Sequence, residues 1–287
     1  MTGTLFVAAT PIGNLEEAAP RLSHVMQTVD IIAAEDTRHS RQLAQLLGCP
    51  VQGKWVSLHK FNEAGKIAPL LASLREGANV LLVSDAGTPC ISDPGYLFVQ
   101  AAAAEGIMVT PVAGPSAVTV AVSVSGFPAV PFIFVGFLPR KAQELAQLPV
   151  HVCPTVVFYE SPKRVAASVE ALSLVFPKAQ LCLCNDLTKK FERIYRGTPA
   201  EVSQQLAENP YAQKGEYAGV LYVPNQGNPT EADGDTPALS PEAHLTDTMV
   251  KTGCSLKEAV AEAAKTSAFR KNELYDAALR LKNILGA

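Results

Sequence analysis

Four short apolar runs, Thr4–Thr10, Val29–Glu35, Asn79–Asp85 and Ile107–Ala113, recur along the first part of the chain with room for a helix between each pair. Several are β-branched and apolar throughout, the pattern of strands covered on both faces. The intervening stretches Arg21–Thr28, His39–Leu47, Ile67–Arg75 and Gly95–Glu105 have the composition and length of helices. Parallel strands need long crossover connections, which helices supply. The alternation therefore predicts an α/β fold built on a parallel or mixed sheet.

A second set of signals starts near residue 131. Pro131–Phe137, Pro154–Glu160, Gln180–Asp186 and Glu216–Val223 read as strands, and Arg164–Val175 and Pro199–Glu208 as helices. This predicts an N-terminal α/β domain over 1–130 and a smaller one over 131–224, with Pro139–Pro149 as a mobile connection. Residues 225–240 are polar and rich in Gly and Pro, the composition of a flexible linker. A small helical tail over 241–287 follows. Ser255 and Glu258 have capping-box spacing ahead of a helix at Ala259–Ala264. A second helix is expected from about Lys271 to Leu285, joined to the first near Ser267–Phe269 in the manner of a helix-turn-helix.

The 287 residues, 48% of them hydrophobic, suffice for two compact domains. The net charge of −3 excludes a general polycation. The charge is uneven, however: 138–196 is net basic and 197–234 net acidic, which allows a local phosphate-binding face. The start of the chain lacks the basic segment of a signal peptide, and no run of about 18 apolar residues is present, so a cytoplasmic protein is expected. Cys49, Cys90, Cys153, Cys182, Cys184 and Cys254 have no metal-site spacing and are expected to be free thiols, most of them buried. The histidines likewise show no ligand spacing, and no metal site is expected.

The loops at strand ends carry the chemistry. Gly48–Lys54 imitates a Walker A loop, but Trp55 stands where a hydroxyl must hold magnesium, and a helix precedes it where a strand is required. No G-x-G-x-x-G follows any strand. Three other loops, Thr10–Leu15, Ser84–Pro89 and Ala113–Ser116, are rich in Gly and Pro, which let backbone approach a ligand closely. Open α/β sheets bind ligands beyond the carboxyl ends of their strands, so these loops are expected to build one site. Charged clusters close other strands: Glu35-Asp36-Thr37-Arg38, Glu160-Ser161-Pro162-Lys163-Arg164 and Leu187-Thr188-Lys189-Lys190.

Ala9–Leu15, Ile32–Arg38, Val83–Tyr96, Gly136–Lys141, Phe158–Arg164, Leu187–Lys189, Lys214–Glu216 and Lys271–Tyr275 together resemble the RsmI family of bacterial 16S rRNA (cytidine 2′-O)-methyltransferases, within the tetrapyrrole (corrin/porphyrin) methylase superfamily. The resemblance spans nearly the whole chain except Asn225–Ser240. It implies a two-domain α/β fold with S-adenosyl-L-methionine in the inter-domain cleft, a helical tail, and a homodimer. It implies as substrate a decoding-centre cytidine of 16S rRNA in the small ribosomal subunit, methylated on its ribose 2′-oxygen. By motif, Pro11, Ile12, Asp85, Gly87, Thr88, Ser116, Ala117, Tyr159 and Leu187 are expected to hold the cofactor. The chain departs from the family at Cys184-Asn185-Asp186, where Ala-Arg-Glu is usual, and at Lys163, where His is usual.

In-line methyl transfer rests chiefly on alignment, but a 2′-hydroxyl is a weak nucleophile and gains from a base or an alkoxide-stabilising cation. Lys189, Glu35, Asp36 and Glu160 are the candidates for those roles. Arg38, Lys163, Arg164 and Lys190 are the candidates for meeting RNA phosphate. Two other readings share these features: methylation of a small tetrapyrrole, and a cofactor-binding RNA chaperone without catalysis.

Overall fold

A computed structural model describes residues 2–224, 240–266, 269 and 271–285. They form two compact units, Met1–Asn225 and Gln226–Ala287.

The first unit opens with β1 (Thr4–Ala8), α1 (Pro20–Thr28), β2 (Ile31–Ala34), α2 (Thr37–Leu46), β3 (Lys54–Ser57), α3 (Glu63–Arg75), β4 (Val80–Val83), α4 (Tyr96–Ala104) and β5 (Met108–Val112). The strands make one parallel sheet in the order β3-β2-β4-β1-β5. Side chains of a strand alternate between faces, and both faces here are covered. Leu81 and Val83 of β4 point with Ile32 and Ala8 toward Leu22, Val25 and Met26 of α1. Val80 and Leu82 point the other way, with Leu5 and Ala33, toward Leu70, Leu71 and Leu74 of α3 and Phe98 of α4. That is why β4 is an unbroken apolar run, all four residues buried. β3 went unread in the sequence because it is a four-residue edge strand opening on an exposed lysine. It also disposes of the Walker A imitation: the Gly48–Lys54 stretch leads from α2 into a strand.

The rest of the unit comprises α5 (Ala117–Ser125), β6 (Ile133–Phe137), α6 (Ala142–Leu145), β7 (Thr155–Glu160), α7 (Val165–Val175), β8 (Gln180–Asn185), β9 (Arg193–Gly197), α8 (Pro199–Ala207) and β10 (Tyr217–Tyr222). The second sheet has the order β6-β7-β10-β8-β9. β6 and β7 are parallel, and the other pairs are antiparallel. One face buries Val156, Phe158, Leu181 and Leu183 against α7 and α8. The other buries Val157, Cys182, Ala218 and Val220 against Val118 and Ala121 of α5. The stretch Pro139–Pro149, expected as a mobile connection, instead carries α6, and Leu145 and Leu148 anchor it in the core of this sheet. All six cysteines are free thiols; Cys49, Cys153, Cys182 and Cys184 are buried, Cys90 and Cys254 partly so.

The second unit contains α9 (Pro241–Thr252), α10 (Leu256–Thr266) and α11 (Lys271–Leu285). Leu245, Ala259, Val260, Ala263, Leu274 and Ala277 form its core. Ser255 and Glu258 meet as their spacing predicts: the Ser255 N–H and hydroxyl donate to the Glu258 carboxylate at 2.9 and 2.7 Å. The helix after it is longer than expected, and α9 was missed. Its ends carry clear signals, a Ser240 cap with Pro241 at the first turn and Gly253 at the close, but its single buried residue, Leu245, makes too narrow a stripe to read. Residues 225–239 of the expected linker, and Ser267 and Ala268 of the expected turn, lie outside the described residues. No described helix is long and apolar enough to cross a membrane.

The contact of α5 with the second sheet yields a direct test. Ala121 is fully buried there, so Ala121→Leu forces extra volume into a closed layer and should cost about 1–3 kcal/mol. Urea denaturation measures it, and a midpoint equal to the parent's would show that α5 does not pack as described.

Candidate active site

The carboxyl ends of the first sheet are tied into one rim. Thr10 and Gly87 exchange backbone hydrogen bonds at 2.9 and 3.0 Å, joining the loops after β1 and β4. The Thr88 hydroxyl donates to the Pro115 carbonyl at 3.1 Å, adding the loop after β5. The Asp36 N–H donates to Asp85 Oδ1 at 3.0 Å, adding the loop after β2. The second sheet reaches the same rim: the Asn14 N–H donates to Thr188 Oγ1 at 3.2 Å. A cavity of about 500 Å³ opens between these loops and the ends of β6, β7, β8 and β10, within the roughly 300–1,000 Å³ of small-molecule sites.

Of the residues expected to hold a cofactor, Ile12, Asp85, Gly87, Thr88, Ser116, Ala117, Tyr159 and Leu187 line this cavity; Pro11 does not. Lys189, Glu35 and Glu160 line it as well, and Asp36 does not.

The hydrogen bonds sort these charged groups. Asp36 caps α2: Oδ1 accepts from the Arg38 N–H at 2.8 Å, and Arg38 clasps the carboxylate with Nη2 at 2.6 Å from Oδ2. The bonds from the Arg38 side chain and backbone hold Asp36 well below the usual carboxylate range. Glu160 is buried and taken up on both oxygens, by the Ser161 N–H at 2.7 Å and the Ser168 hydroxyl at 2.6 Å, with Arg164 3.3 Å away. Arg164 also donates to the Leu138 carbonyl at 2.9 Å. Expected as a reacting group and a phosphate contact, Glu160 and Arg164 instead lock β7, α7 and the end of β6 together. Arg38, Lys163 and Lys190 are exposed outside the cavity, and Lys190 lies over the Phe191 ring.

Two charged features remain in the cavity. Lys189 Nζ sits 2.7 Å from Glu216 and 3.2 Å from Asp186. Burial works against its charge, but the two carboxylates outweigh it and raise its pKa, so it stays an ammonium. Across the cavity lie Glu35, Asp85 and Asp93. Burial raises the Glu35 pKa, and Asp85 adds to the rise. Asp93 is pushed up to about 6, by burial first and then by Glu35 and Asp85. Tyr159 is raised to about 12 by burial, with further rises from Asp93 and Glu216, so its hydroxyl keeps its proton.

Asp93, Phe137, Glu216 and Tyr217 also line the cavity and were not among the expected site residues. Asp93 was within reach, because Ser92-Asp93-Pro94-Gly95 directly follows a loop already suspected. Glu216 closes the Lys214–Glu216 motif of the family resemblance, but its place at the rim, like that of Tyr217, comes only from the antiparallel pairing of β10 between β7 and β8. The unusual Cys184-Asn185-Asp186 stretch belongs to the site: Cys184 lines it, Asn185 donates to the Lys214 and Glu216 carbonyls, and Asp186 pairs with Lys189.

The tetrapyrrole (corrin/porphyrin) methylase family model matches residues 4–203, and a second, described as an RsmI C-terminal HTH domain, matches residues 246–282. The chain is 43% identical to ribosomal RNA small subunit methyltransferase I of Xylella fastidiosa, over 76% of this chain and 81% of that protein. It is 40% identical to the protein of the same name from Mycobacterium tuberculosis, over 99% and 98%. Among solved structures it is similar to uroporphyrin-III C-methyltransferase from Thermus thermophilus complexed with S-adenyl homocysteine, with a TM-score of 0.51 at 17% identity over 76% of this chain and 96% of that one, a likeness of fold. The chain thus belongs to the tetrapyrrole methylase family and, within it, to the ribosomal RNA small subunit methyltransferases I.

Proposed function

We propose that this chain is an S-adenosyl-L-methionine-dependent enzyme that methylates the ribose 2′-oxygen of a cytidine in the decoding centre of 16S rRNA, acting in the cytoplasm as a homodimer on the small ribosomal subunit. The observation that carries the reading is the cavity itself. Five carboxylates, Glu35, Asp85, Asp93, Glu160 and Glu216, share its walls with the lysine Lys189, at the meeting of loops from two sheets. The cavity is of a size for the cofactor, and its carboxylates complement a ligand bearing positive charge. When bound, the cofactor supplies a methyl group activated on a cationic sulfur.

The chain's own residues supply binding, orientation and proton handling. Ile12, Gly87, Thr88, Ser116, Ala117, Tyr159 and Leu187 shape the pocket, with Asp85 as the charged partner. Asp93 is the carboxylate best suited to accept the 2′-hydroxyl proton, because its pKa of about 6 makes it ionised at neutral pH yet more basic than an ordinary aspartate. Burial keeps that pKa high, and Glu35 and Asp85 add to it. Lys189, held charged, offsets negative charge growing on the 2′-oxygen. Asp36 and Glu160 are spent on capping and anchoring. Arg38, Lys163 and Lys190, all exposed, are the cations we assign to RNA phosphates, whose contacts position a substrate without reading its sequence.

Three measurements test this. Mapping 2′-O-methyl groups in the 16S rRNA of a strain lacking the chain should show one decoding-centre cytidine unmethylated and restored by the parent gene; an unchanged methylation map would sink the reading. Asp85→Ala and Gly87→Val should each weaken S-adenosyl-L-methionine binding about tenfold or more by calorimetry, a loss of roughly 1.4 kcal/mol. Gly87 has φ +78°, and a side chain there would meet Ile12 Cγ2 at 3.3 Å. Unchanged affinity in both folded variants would remove the cofactor assignment.

The third concerns Asp93. The parent's single-turnover rate should fall as pH drops through about 6, as the carboxylate takes up its proton. Asp93→Asn should slow the rate by about 100-fold or more and abolish that limb. The raised pKa also means that folding favours the protonated form, a contribution to stability present below the ordinary value of 3.8 and lost as pH rises through about 6. The melting temperature of Asp93→Asn should therefore gain on the parent's between pH 4 and pH 8. A parental rate in the variant would leave Asp93 without a part in the chemistry.

A further inference from the structure

Phe137 is out of place by the logic of a core. It ends β6, lines the cavity, and is 57% exposed. Its neighbours on the same strand explain how it comes to be there. The β6–β7 register runs Ile133 to Val156 and Phe134 to Val157, then breaks, and Phe137 pairs with Tyr159. Between them lies Gly136 at φ +71°. A side chain at Gly136 would meet nothing within 4 Å, so the glycine is needed for its left-handed backbone and not for space. The irregularity is a bulge, a device that re-aims a side chain and recurs beside active sites. Here it leaves the aromatic ring of Phe137 at the cavity. The ring lies edge-on to Tyr159 with centroids 6.1 Å apart, and Tyr159 is itself braced by Phe134 at 4.9 Å.

We propose that Phe137 is the stacking surface for the target nucleobase, holding the base at the cavity while its ribose faces the carboxylates and Lys189. The inference rests on the RNA methylation reading above. A nucleotide extruded from an RNA loop loses its stacking neighbours, and an aromatic side chain restores that contact. Stacking against a base is sequence-tolerant and substantial, and a flat, largely exposed ring is the shape it needs. The ring's exposure sets it apart from the pocket formed by Ile12, Leu187 and Ala218, which are buried and suit the smaller ligand.

The test compares Phe137→Leu, Phe137→Ala and Phe137→Trp in the full chain, with purified small subunits as substrate and S-adenosyl-L-methionine affinity measured separately. Leu keeps apolar bulk without a π face, and Trp keeps the π face. Phe137→Leu and Phe137→Ala should lose about tenfold or more in kcat/KM, Phe137→Trp should stay within a few-fold of the parent, and all three should bind the cofactor as the parent does. A Phe137→Leu enzyme at the parental kcat/KM overturns the proposal. So does a loss of cofactor affinity that matches the loss in rate, since the ring would then serve the cofactor's adenine. If the parent itself transfers no methyl group to the small subunit while binding the cofactor, the underlying functional reading fails, and this inference fails with it.

Discussion

The site depends on one packed layer. Helix α5 leaves the first sheet at the loop that carries Ser116 and lies with Val118 and Ala121 against Val157, Cys182, Ala218 and Val220 of the second. Ile12 from the loop after β1 and Leu187 from the loop after β8 join the same cluster. The core of the second sheet therefore takes in α5 and a loop of the first sheet. Close-packed layers transmit small displacements, so the distance across the cavity is fixed by this contact. The cavity is the solvent-facing margin of a hydrophobic layer.

Electrostatics divide the cavity in a way that burial alone does not. Glu35, Asp85 and Asp93 crowd one another and are partly withdrawn from water, which raises Glu35 and Asp93 together. Lys189 stands between Glu216 and Asp186, where its charge is secured. Tyr159 feels both Asp93 and Glu216 and keeps its proton. Groups whose protonation is shifted by neighbours in a cleft mark functional sites more often than structural ones. The counter-examples lie close by. Asp36 and Glu160 look equally reactive in sequence, yet their oxygens are consumed by a helix cap and by an anchor between β7 and α7.

Much of the fold was legible from periodicity. Unbroken apolar runs such as Val80–Val83 announce strands buried on both faces, and the helix-length spacers between them force parallel pairing. The Gly/Pro loops after β1, β4 and β5 were legible as one site because strand ends of such sheets converge. Two of the four edge strands were not. β3 and β9 have one partner each and carry charged residues, so neither shows a strand's full apolar pattern.

What the sequence determined by itself was the class of fold and the chemical neighbourhood, because hydrophobic period and loop composition are local properties of the chain. What only the tertiary structure decided was which charges are free to act and which elements carry the site. α5, Ala-Val-Thr-Val-Ala-Val-Ser-Val-Ser, alternates β-branched and small residues like a strand, yet it is a helix because the face holding Val118 and Ala121 is buried against the second sheet. Glu216 and Phe137 reach the cavity through strand register and a bulge, neither of which is written in spacing. Pairing partners far apart in sequence settle those positions, and long-range contacts form only when the whole chain has folded.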